Sequence, residues 1–464
     1  MDITQILISL VAGMALLMFL IMRTKIHAIL ALVATCVFVG VTSGLEMTKI
    51  PGVITSGFGG TLGGIGLVIG FGVMMGQIME ESNAAKVMAR TFLKALKGKN
   101  EDVALAVTGF MVSIPIFADS GFIILSPLLK AISKVTKKSL VGLGVAMGMA
   151  LALTHATVPP TPGPLGVAGI FGIDLGTFIL FGLALGIPLM AVPVLCGKYF
   201  GRRYYKLIND EGEIYDVSTE EAQKLVARSA LEAITTENPN EKMPSPGIAF
   251  APILLPVVLI LLNTILNAAY GKEPLPLLAQ IFTLLGSPVV AVGIGLMLAI
   301  YGLTSTQSRE ATIDVMERGL KSAGMILLVT GAGGAFGQII RATGAGDAIA
   351  TALMQTSFPI LLLPFLISGL LKFAQGSGTV AMITTASITM PILSQMPEVN
   401  LVYAAYAACI GSQLFSLFND SYFWVVTRTI GLKKADEQVI AWCGTQFITA
   451  CSGMILLLIV SAIF

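Results

Sequence analysis

The sequence predicts an all-α polytopic membrane protein made of two inverted-topology repeats, with about ten transmembrane helices, two re-entrant hairpins and two broken helices. Three observations carry this prediction: long uncharged segments, basic residues gathered in clusters, and a match between the two halves of the chain. Only 12% of the 464 residues are charged, while 55% are hydrophobic. Because about a quarter of an ordinary soluble chain is charged, a water-soluble enzyme is excluded.

Charge balance and cysteine placement exclude further classes. The formal net charge is only +2, so no nucleic-acid partner is expected. The five cysteines lie almost entirely in apolar segments without Cys-x-x-Cys spacing, which is typical of small buried side chains rather than disulfides or metal ligands. The glycine-rich segments lack the spacing of a nucleotide-binding loop. We therefore expect no cofactor and no metal.

The first predicted repeat covers residues 1–197 and opens with three apolar segments, 3–22, 26–45 and 58–80. The first has no basic residues ahead of it and no small-residue cleavage site, so it is interpreted as a retained span and not as a signal peptide. A helix needs about 20 apolar residues to cross the membrane core. The segments therefore predict three spans that leave the basic cluster at 86–99 inside the cell.

Two interruptions follow in this repeat. The basic clusters at 86–99 and 130–138 must lie on the same side of the membrane, so the uncharged stretch between them enters and returns. This predicts a re-entrant hairpin over 102–130, with its tip near Pro115–Gly121. Residues 139–173 contain four prolines within six positions. Such a cluster cannot continue a helix and predicts a broken one.

A charged linker separates the two halves of the chain. Segment 198–246 holds 16 charged residues and is expected to be cytoplasmic. The second repeat, 247–464, is predicted to hold a re-entrant hairpin over 357–394 and a broken helix over 399–430. Placing the basic clusters inside puts both termini outside, on the periplasmic side. The chain is thus expected to be a multi-pass protein of the inner (plasma) membrane.

An internal match supports the two repeats. Shifting the chain by 261 positions gives 11 identities over the 27 residues of 63–89, where biased composition gives about three or four by chance. The same shift places the first hairpin tip, 114–121, on 375–382. Because the halves begin on opposite sides of the membrane, the repeat is inverted. This organisation is typical of a secondary transporter with its site at the bilayer midplane.

Four breaks at membrane depth supply the candidate binding residues. Backbone groups freed there must be buried in protein or line an aqueous cavity. Each restarting half-helix presents free N–H groups and the positive end of its dipole, which favour a carboxylate. The alternative is that these prolines and glycines only kink or pack helices. The candidate substrate-binding residues are Ser120, Gly121, His155, Thr157, Thr161, Gln375, Ser377, Gly378, Thr379, Asn419 and Ser421.

Two acidic residues, Asp119 and Asp420, are the only acids expected deep in the membrane. Burying an ionisable residue there costs about 3 kcal/mol or more, so both are predicted to carry the proton or hold the coupling ion. The alternative is a structural role, in which they cap a half-helix or pair with the other repeat. Arg341 and Lys372, near the second hairpin, are expected to be solvated, with attraction of anions at the outer mouth as the alternative.

Four stretches give the chain a family resemblance: Phe117–Phe122, Pro159–Pro164, Ala374–Ala381 and Asn419–Trp424. With these motifs in both halves, the chain resembles the gluconate permease family of proton symporters, within the ion transporter superfamily. The resemblance implies proton-driven uptake of sugar acids or small hydroxy or amino acids, at a site made by hairpin tips and broken helices. Many relatives have His where this chain has Thr161, a departure that bears on the substrate and the coupling ion.

The residues and the resemblance together predict a proton-coupled symporter of gluconate or a related small hydroxy-carboxylate. Its partners are a small organic acid and the lipid bilayer, and a homodimer is left open. The alternatives are a sodium-coupled carboxylate symporter and a permease of the same family for D-serine or another small amino or hydroxy acid. A membrane-embedded enzyme would need a nucleophile–base pair or a metal cluster at depth, which two histidines and scattered cysteines do not offer.

Overall fold

A computed structural model describes residues 3–95, 100–209, 212–218, 221, 243–270, 276–344, 359–417 and 420–463. Within these ranges the regular structure is helical apart from one two-stranded antiparallel hairpin. This agrees with the predicted all-α class, because each long apolar segment of the sequence satisfies its backbone hydrogen bonds within its own helix.

In the first half, helices end where proline, glycine or a capping residue interrupts the apolar pattern. The elements are α1 (Ile3–Arg23), α2 (Ala28–Thr42), α3 (Ile50–Glu81), α4 (Ala84–Ala95), α5 (Glu101–Val112), α6 (Ala118–Thr136), α7 (Leu140–Thr157), α8 (Pro162–Phe171), α9 (Leu175–Leu189), α10 (Ala191–Arg203), β1 (Lys206–Ile208) and β2 (Ile214–Asp216).

The second half follows the same rule, with one π-helical segment near its end. The elements are α11 (Pro246–Tyr270), α12 (Leu277–Leu285), α13 (Pro288–Leu303), α14 (Arg309–Thr343), α15 (Leu362–Gln375), α16 (Gly378–Leu393), α17 (Leu401–Gly411), α18 (Ser421–Thr429), α19 (Ala435–Gln438), the π-helix Val439–Cys443, and α20 (Gly444–Ile463).

Helix length and hydropathy alone identify fewer spans than the sequence predicts. Among the described residues, five helices are long and apolar enough to cross a membrane, or up to seven if each of two bent pairs counts as one span. One bend of 49° divides α3, and one of 66° separates α12 from α13. Helices α2, α15, α16 and α17 are apolar but shorter. The number of about ten spans and the inversion of the repeats therefore stay predictions.

The two predicted hairpins have helix–turn–helix form. Residues 113–117 separate α5 from α6, and Gly376 and Ser377 separate α15 from α16. Gly376 has a φ of +77°, a left-handed conformation that glycine adopts without strain. The Ser377 hydroxyl oxygen accepts the N–H of Val380 at 3.3 Å, which starts α16 with an N-cap. The re-entrant path of both hairpins through the membrane stays a prediction.

The two broken helices lie at the centre of the molecule. Every residue of α7 except His155 is buried, and α7 stops at Thr157 ahead of the proline cluster, where the Pro159–Pro160 peptide bond is cis. In the second half, α17 stops at Gly411 and α18 begins at Ser421. Asp420 caps α18, since its Oδ1 accepts the N–H of Tyr422 at 3.0 Å.

The two halves share one register. Helices α5 and α7 begin at Glu101 and Leu140, and α15 and α17 begin 261 positions later, at Leu362 and Leu401. This is the offset found in the sequence. The halves pack through α3 and α14, where an added Cβ at Gly57 would lie 2.6 Å from the Gly334 carbonyl oxygen. Such close approach of two backbones is what small residues allow between membrane helices.

The predicted linker 198–246 is structured where it is described. Helix α10 continues to Arg203, so the last helix of the first half runs into the linker. In the β1–β2 hairpin, Lys206 lies opposite Asp216. The buried Lys206 ammonium lies 2.5 Å from Asp216 Oδ1 and 3.4 Å from Glu437 Oε2. This part of the linker is therefore bound to the second half, while 222–242 lie outside the described residues.

Candidate functional site

A cavity of about 430 Å³ lies where the two hairpin tips and the two broken helices meet. Residues that are hundreds of positions apart in the chain share its wall, because several half-helices end or begin there. Seven of the predicted site residues line it, drawn from all four breaks. These are Asp119, His155, Ser377, Gly378, Thr379, Asp420 and Ser421.

Three helices begin at the cavity wall. Helix α6 begins at Ala118, α16 at Gly378 and α18 at Ser421, and all three residues line the cavity. The first N–H groups of a helix have no partner within it and carry the positive end of its dipole. Three such ends facing one space favour an anion such as a carboxylate.

The cavity also contains a buried ion pair between Lys372 of α15 and Asp420. Lys372 is 5% exposed and Asp420 is 8% exposed. The Lys372 ammonium lies 2.7 Å from Asp420 Oδ2 and donates to the Gly376 carbonyl at 2.6 Å. The Ser416 hydroxyl donates to the same carboxylate oxygen at 2.5 Å. The expectation that Lys372 is solvated is therefore wrong, because Asp420 and Gly376 hold its ammonium inside the protein.

His155 faces the cavity from α7. Its Nε2 lies 3.5 Å from the Thr379 hydroxyl on α16, so the two halves of the chain meet at this pair. The Phe117 ring packs against the imidazole with 5.5 Å between ring centroids. Its Nδ1 is buried and has no hydrogen-bond partner in the described part of the chain. His155 thus keeps one buried ring nitrogen without a hydrogen bond in the described part of the chain.

Asp119 lies at the start of α6, on the cavity wall. Its Oδ1 accepts the N–H of Ser120 at 2.9 Å, a bond within its own turn. Ser120 does not line the cavity among the described residues; its side chain lies close to the carboxyl of Glu80 on α3. Glu80 is therefore a second acid near the first hairpin tip, close to Asp119.

Three other predicted residues lie away from the cavity. An added Cβ at Gly121 would lie 2.9 Å from Leu151, so this glycine allows α6 to pack on α7. The Thr157 hydroxyl donates to the Leu153 carbonyl at 2.7 Å. The Thr161 hydroxyl bonds the carbonyls of two residues of the break. The side chain of Gln375 and all of Asn419 lie outside the described residues.

Several polar residues of the cavity wall are not among the candidate binding and coupling residues predicted from the sequence. Lys372, Gln413, Tyr422 and Gln446 add polar groups, and Gln446 Oε1 is buried with no partner among the described residues. One signal was available for Lys372, since it is the single charged residue in the apolar segment of α15. Gln446 gives no such signal, because α20 shows a glutamine only as one polar position in a long apolar helix.

The described residues offer no cluster for a metal. No three His, Cys, Asp or Glu side chains are grouped there so that they could hold one. The two acids of the cavity wall have different partners: Asp420 pairs with Lys372, and Asp119 accepts the backbone N–H of Ser120. The absence of a cofactor stays a prediction.

Comparisons with known proteins point to one family. Residues 5–463 match the model of the GntP family permeases. An uncharacterized permease of Haemophilus influenzae is 43% identical over 462 residues, which cover 99% of this chain and 92% of that protein. The gluconate permease of Pseudomonas aeruginosa is 31% identical, with 96% and 95% covered.

A solved structure shares the fold. MtrF of Neisseria gonorrhoeae superposes with a TM-score of 0.63 at 14% sequence identity, over 94% of this chain and 96% of that one. At this identity the likeness concerns the fold alone.

Proposed function

The chain belongs to the GntP family of permeases, and from that membership we propose that it imports gluconate, or a related small hydroxy-carboxylate, by proton-coupled symport across the inner membrane. The family makes it a multi-pass membrane transporter and not an enzyme. The relative named as a gluconate permease supports the substrate class.

One observation carries the proposal: the cavity between the hairpin tips combines a lysine and three helix N-termini with a set of uncharged polar groups. Its volume of about 430 Å³ falls in the range of small-ligand pockets. The lysine and the N-termini suit a carboxylate. Ser377, Thr379, Gln413 and Gln446 line the same cavity and supply hydrogen-bonding groups for the hydroxyls of a sugar acid.

Proton coupling is supported by the titratable groups that share this space. Asp119, His155 and Asp420 line the cavity, so a proton and the substrate can occupy it together. We assign the coupling ion to the two aspartates, with H⁺ as the ion and Na⁺ as the competing assignment. Alternating access then follows from movement of one helix bundle against the other.

The test is uptake of radiolabelled gluconate into proteoliposomes under an inward proton gradient, an inward sodium gradient, or neither. We expect accumulation with the proton gradient only, abolished by a protonophore. Accumulation with the sodium gradient alone would replace proton coupling by sodium coupling. Unlabelled gluconate, lactate, glycerate and D-serine serve as competitors, and stronger competition by D-serine than by gluconate would identify an amino-acid permease instead.

A further inference from the structure

We propose that the substrate carboxylate and Asp420 compete for one cation, Lys372, and that a proton on Asp420 releases this cation to the substrate. The inference rests on the proposed function and deepens it, because it names the residue that binds the carboxylate and the residue that takes the proton. It makes the ion pair the coupling device of the cavity.

Lys372 is placed to serve both partners. Its ammonium bonds Asp420 Oδ2 and the Gly376 carbonyl, at 2.7 and 2.6 Å, and it lines the cavity. Among the described residues of the cavity wall it is the single lysine or arginine. An added Cβ at Gly378 would lie 3.9 Å from Nζ, so the ammonium stands beside the N-terminus of α16. A carboxylate bound there would meet the ammonium and free N–H groups together.

The other titratable groups around Asp420 do not replace Lys372. They are His155 on α7, Asp119 on α6, Tyr422 on α18 and Cys443 in the π-helix. The Tyr422 hydroxyl donates to the Gly148 carbonyl at 2.7 Å, and the Cys443 thiol donates to the Ser416 carbonyl at 2.5 Å. Both are thus neutral donors held by backbone acceptors. Lys372 is the group whose positive charge neutralises the carboxylate of Asp420.

Exchange of the Lys372 partner, from Asp420 to the substrate carboxylate, couples proton binding to substrate binding, because a buried charge without a partner is costly. With Asp420 ionised, Lys372 is already paired and the incoming carboxylate finds no free cation. With Asp420 protonated and no substrate, a buried ammonium is left without a counter-ion, which is strongly unfavourable. Only when the proton and the substrate bind together does every buried charge keep a partner. The proton goes to the Asp420 carboxylate, the Lys372–Asp420 ion pair breaks, and Lys372 pairs with the substrate carboxylate. The net charge of the site is the same before and after.

The experiment measures gluconate binding to the purified full-length protein by calorimetry in buffers of different ionisation enthalpy, across a pH series. For the unmodified protein we expect uptake of about one proton per gluconate, and a Kd that rises about tenfold per pH unit over the pH range in which that proton is taken up. In Asp420→Asn the lysine is permanently free. We expect proton uptake near zero and a Kd that stays within about twofold over the same pH range.

Two further variants keep the inference testable if Asp420→Asn does not fold. The double variant Lys372→Gln/Asp420→Asn leaves no buried charge in the pair, and we expect it to fold. Its Kd for gluconate should be about 10–100-fold higher than that of the unmodified protein at the acid end of the pH series, and it should not change with pH. Lys206→Gln is the matched control, since it removes another buried, ion-paired lysine that does not line the cavity. It should keep the proton uptake of the unmodified protein.

Different binding results would overturn the competition for Lys372 and the proposed function. One proton taken up per gluconate in Asp420→Asn would overturn the competition, and so would unweakened binding by the double variant. Failure of the unmodified protein to bind gluconate, or to accumulate it under a proton gradient, would instead overturn the proposed function.

Discussion

At the scale of single residues, Thr161 shows how a side chain can hold a broken helix without lining the cavity. Its hydroxyl lies 3.1 Å from the His155 carbonyl oxygen and 2.9 Å from that of Val158. The Tyr406 hydroxyl donates to the carbonyl of Thr157 at 3.0 Å. Carbonyls at the end of a helix lack partners within it. Thr161 and Tyr406 therefore fix the end of α7, and with it the position of His155.

We expect Thr161→Val to lower the free energy of unfolding by about 1–3 kcal/mol, because buried carbonyls lose their donor. The KM for gluconate should stay within about twofold, since the side chain does not line the cavity. Thermal unfolding of the purified protein and initial uptake rates measure the two effects, and Thr161→Ser, which keeps the hydroxyl, is the control. A raised KM at unchanged stability would show that the hydroxyl contacts the substrate.

Site residues that lie at a helix break could be predicted from the sequence, because a break shows as polar residues within an apolar segment. Polar interruptions of apolar segments predict Asp420 and Ser377, and the structure places both on the cavity wall, where they cap the helices that restart there. Lys372 was misjudged because a lysine near a helix end can either extend toward solvent or turn inward. The hydroxyl of Thr157 donates to the Leu153 carbonyl instead of facing the cavity, because a threonine in a helix readily bonds the carbonyl one turn before it.

At the scale of elements, one face of α3 sets the spacing of the first hairpin and the first broken helix. A Cβ at Gly76 would overlap the Pro115 carbonyl oxygen at the hairpin tip, and one at Gly72 would lie 3.3 Å from the Pro160 carbonyl oxygen. Residues four apart lie on the same side of a helix. The two glycines thus let α3 approach both breaks that carry Asp119 and His155 to the cavity.

Gly76→Ala is expected to push the hairpin tip away from α3. Overpacking against backbone costs about 1–3 kcal/mol, and the displaced tip should also reduce gluconate uptake because Asp119 moves with it. Gly59→Ala is the matched control on the same helix, since nothing lies within 4 Å of an added Cβ there. It should raise helix stability by about 0.5–1 kcal/mol. Equal stability and equal uptake in the two variants would contradict this role of Gly76.

At the scale of the whole molecule, the linker joins the two halves instead of only separating them. The Tyr205 hydroxyl donates to the Lys137 carbonyl of the first half at 2.6 Å, while Lys206 pairs with Glu437 of the second half at 3.4 Å. The sequence indicated the charge of this segment but not its partners, because a buried lysine and an exposed one look alike in a charged stretch. The fold class could be predicted because charged residues are scarce outside this segment, which leaves few places where the chain can meet water.

The orientation of the molecule in the membrane can be tested at two positions on opposite sides of the predicted topology. Basic clusters on the inside place Glu46 outside and Tyr215 inside. The Glu46 side chain is 58% exposed, and Tyr215 as a residue is 43% exposed. We expect Glu46→Cys to react with a membrane-impermeant maleimide in intact cells, and Tyr215→Cys only after permeabilisation. Four of the five native cysteines are buried and Cys451 is partly exposed, so the chain without an added cysteine gives the background. The reverse pattern would invert the molecule, and reaction of both positions from one side would contradict the path of the first repeat.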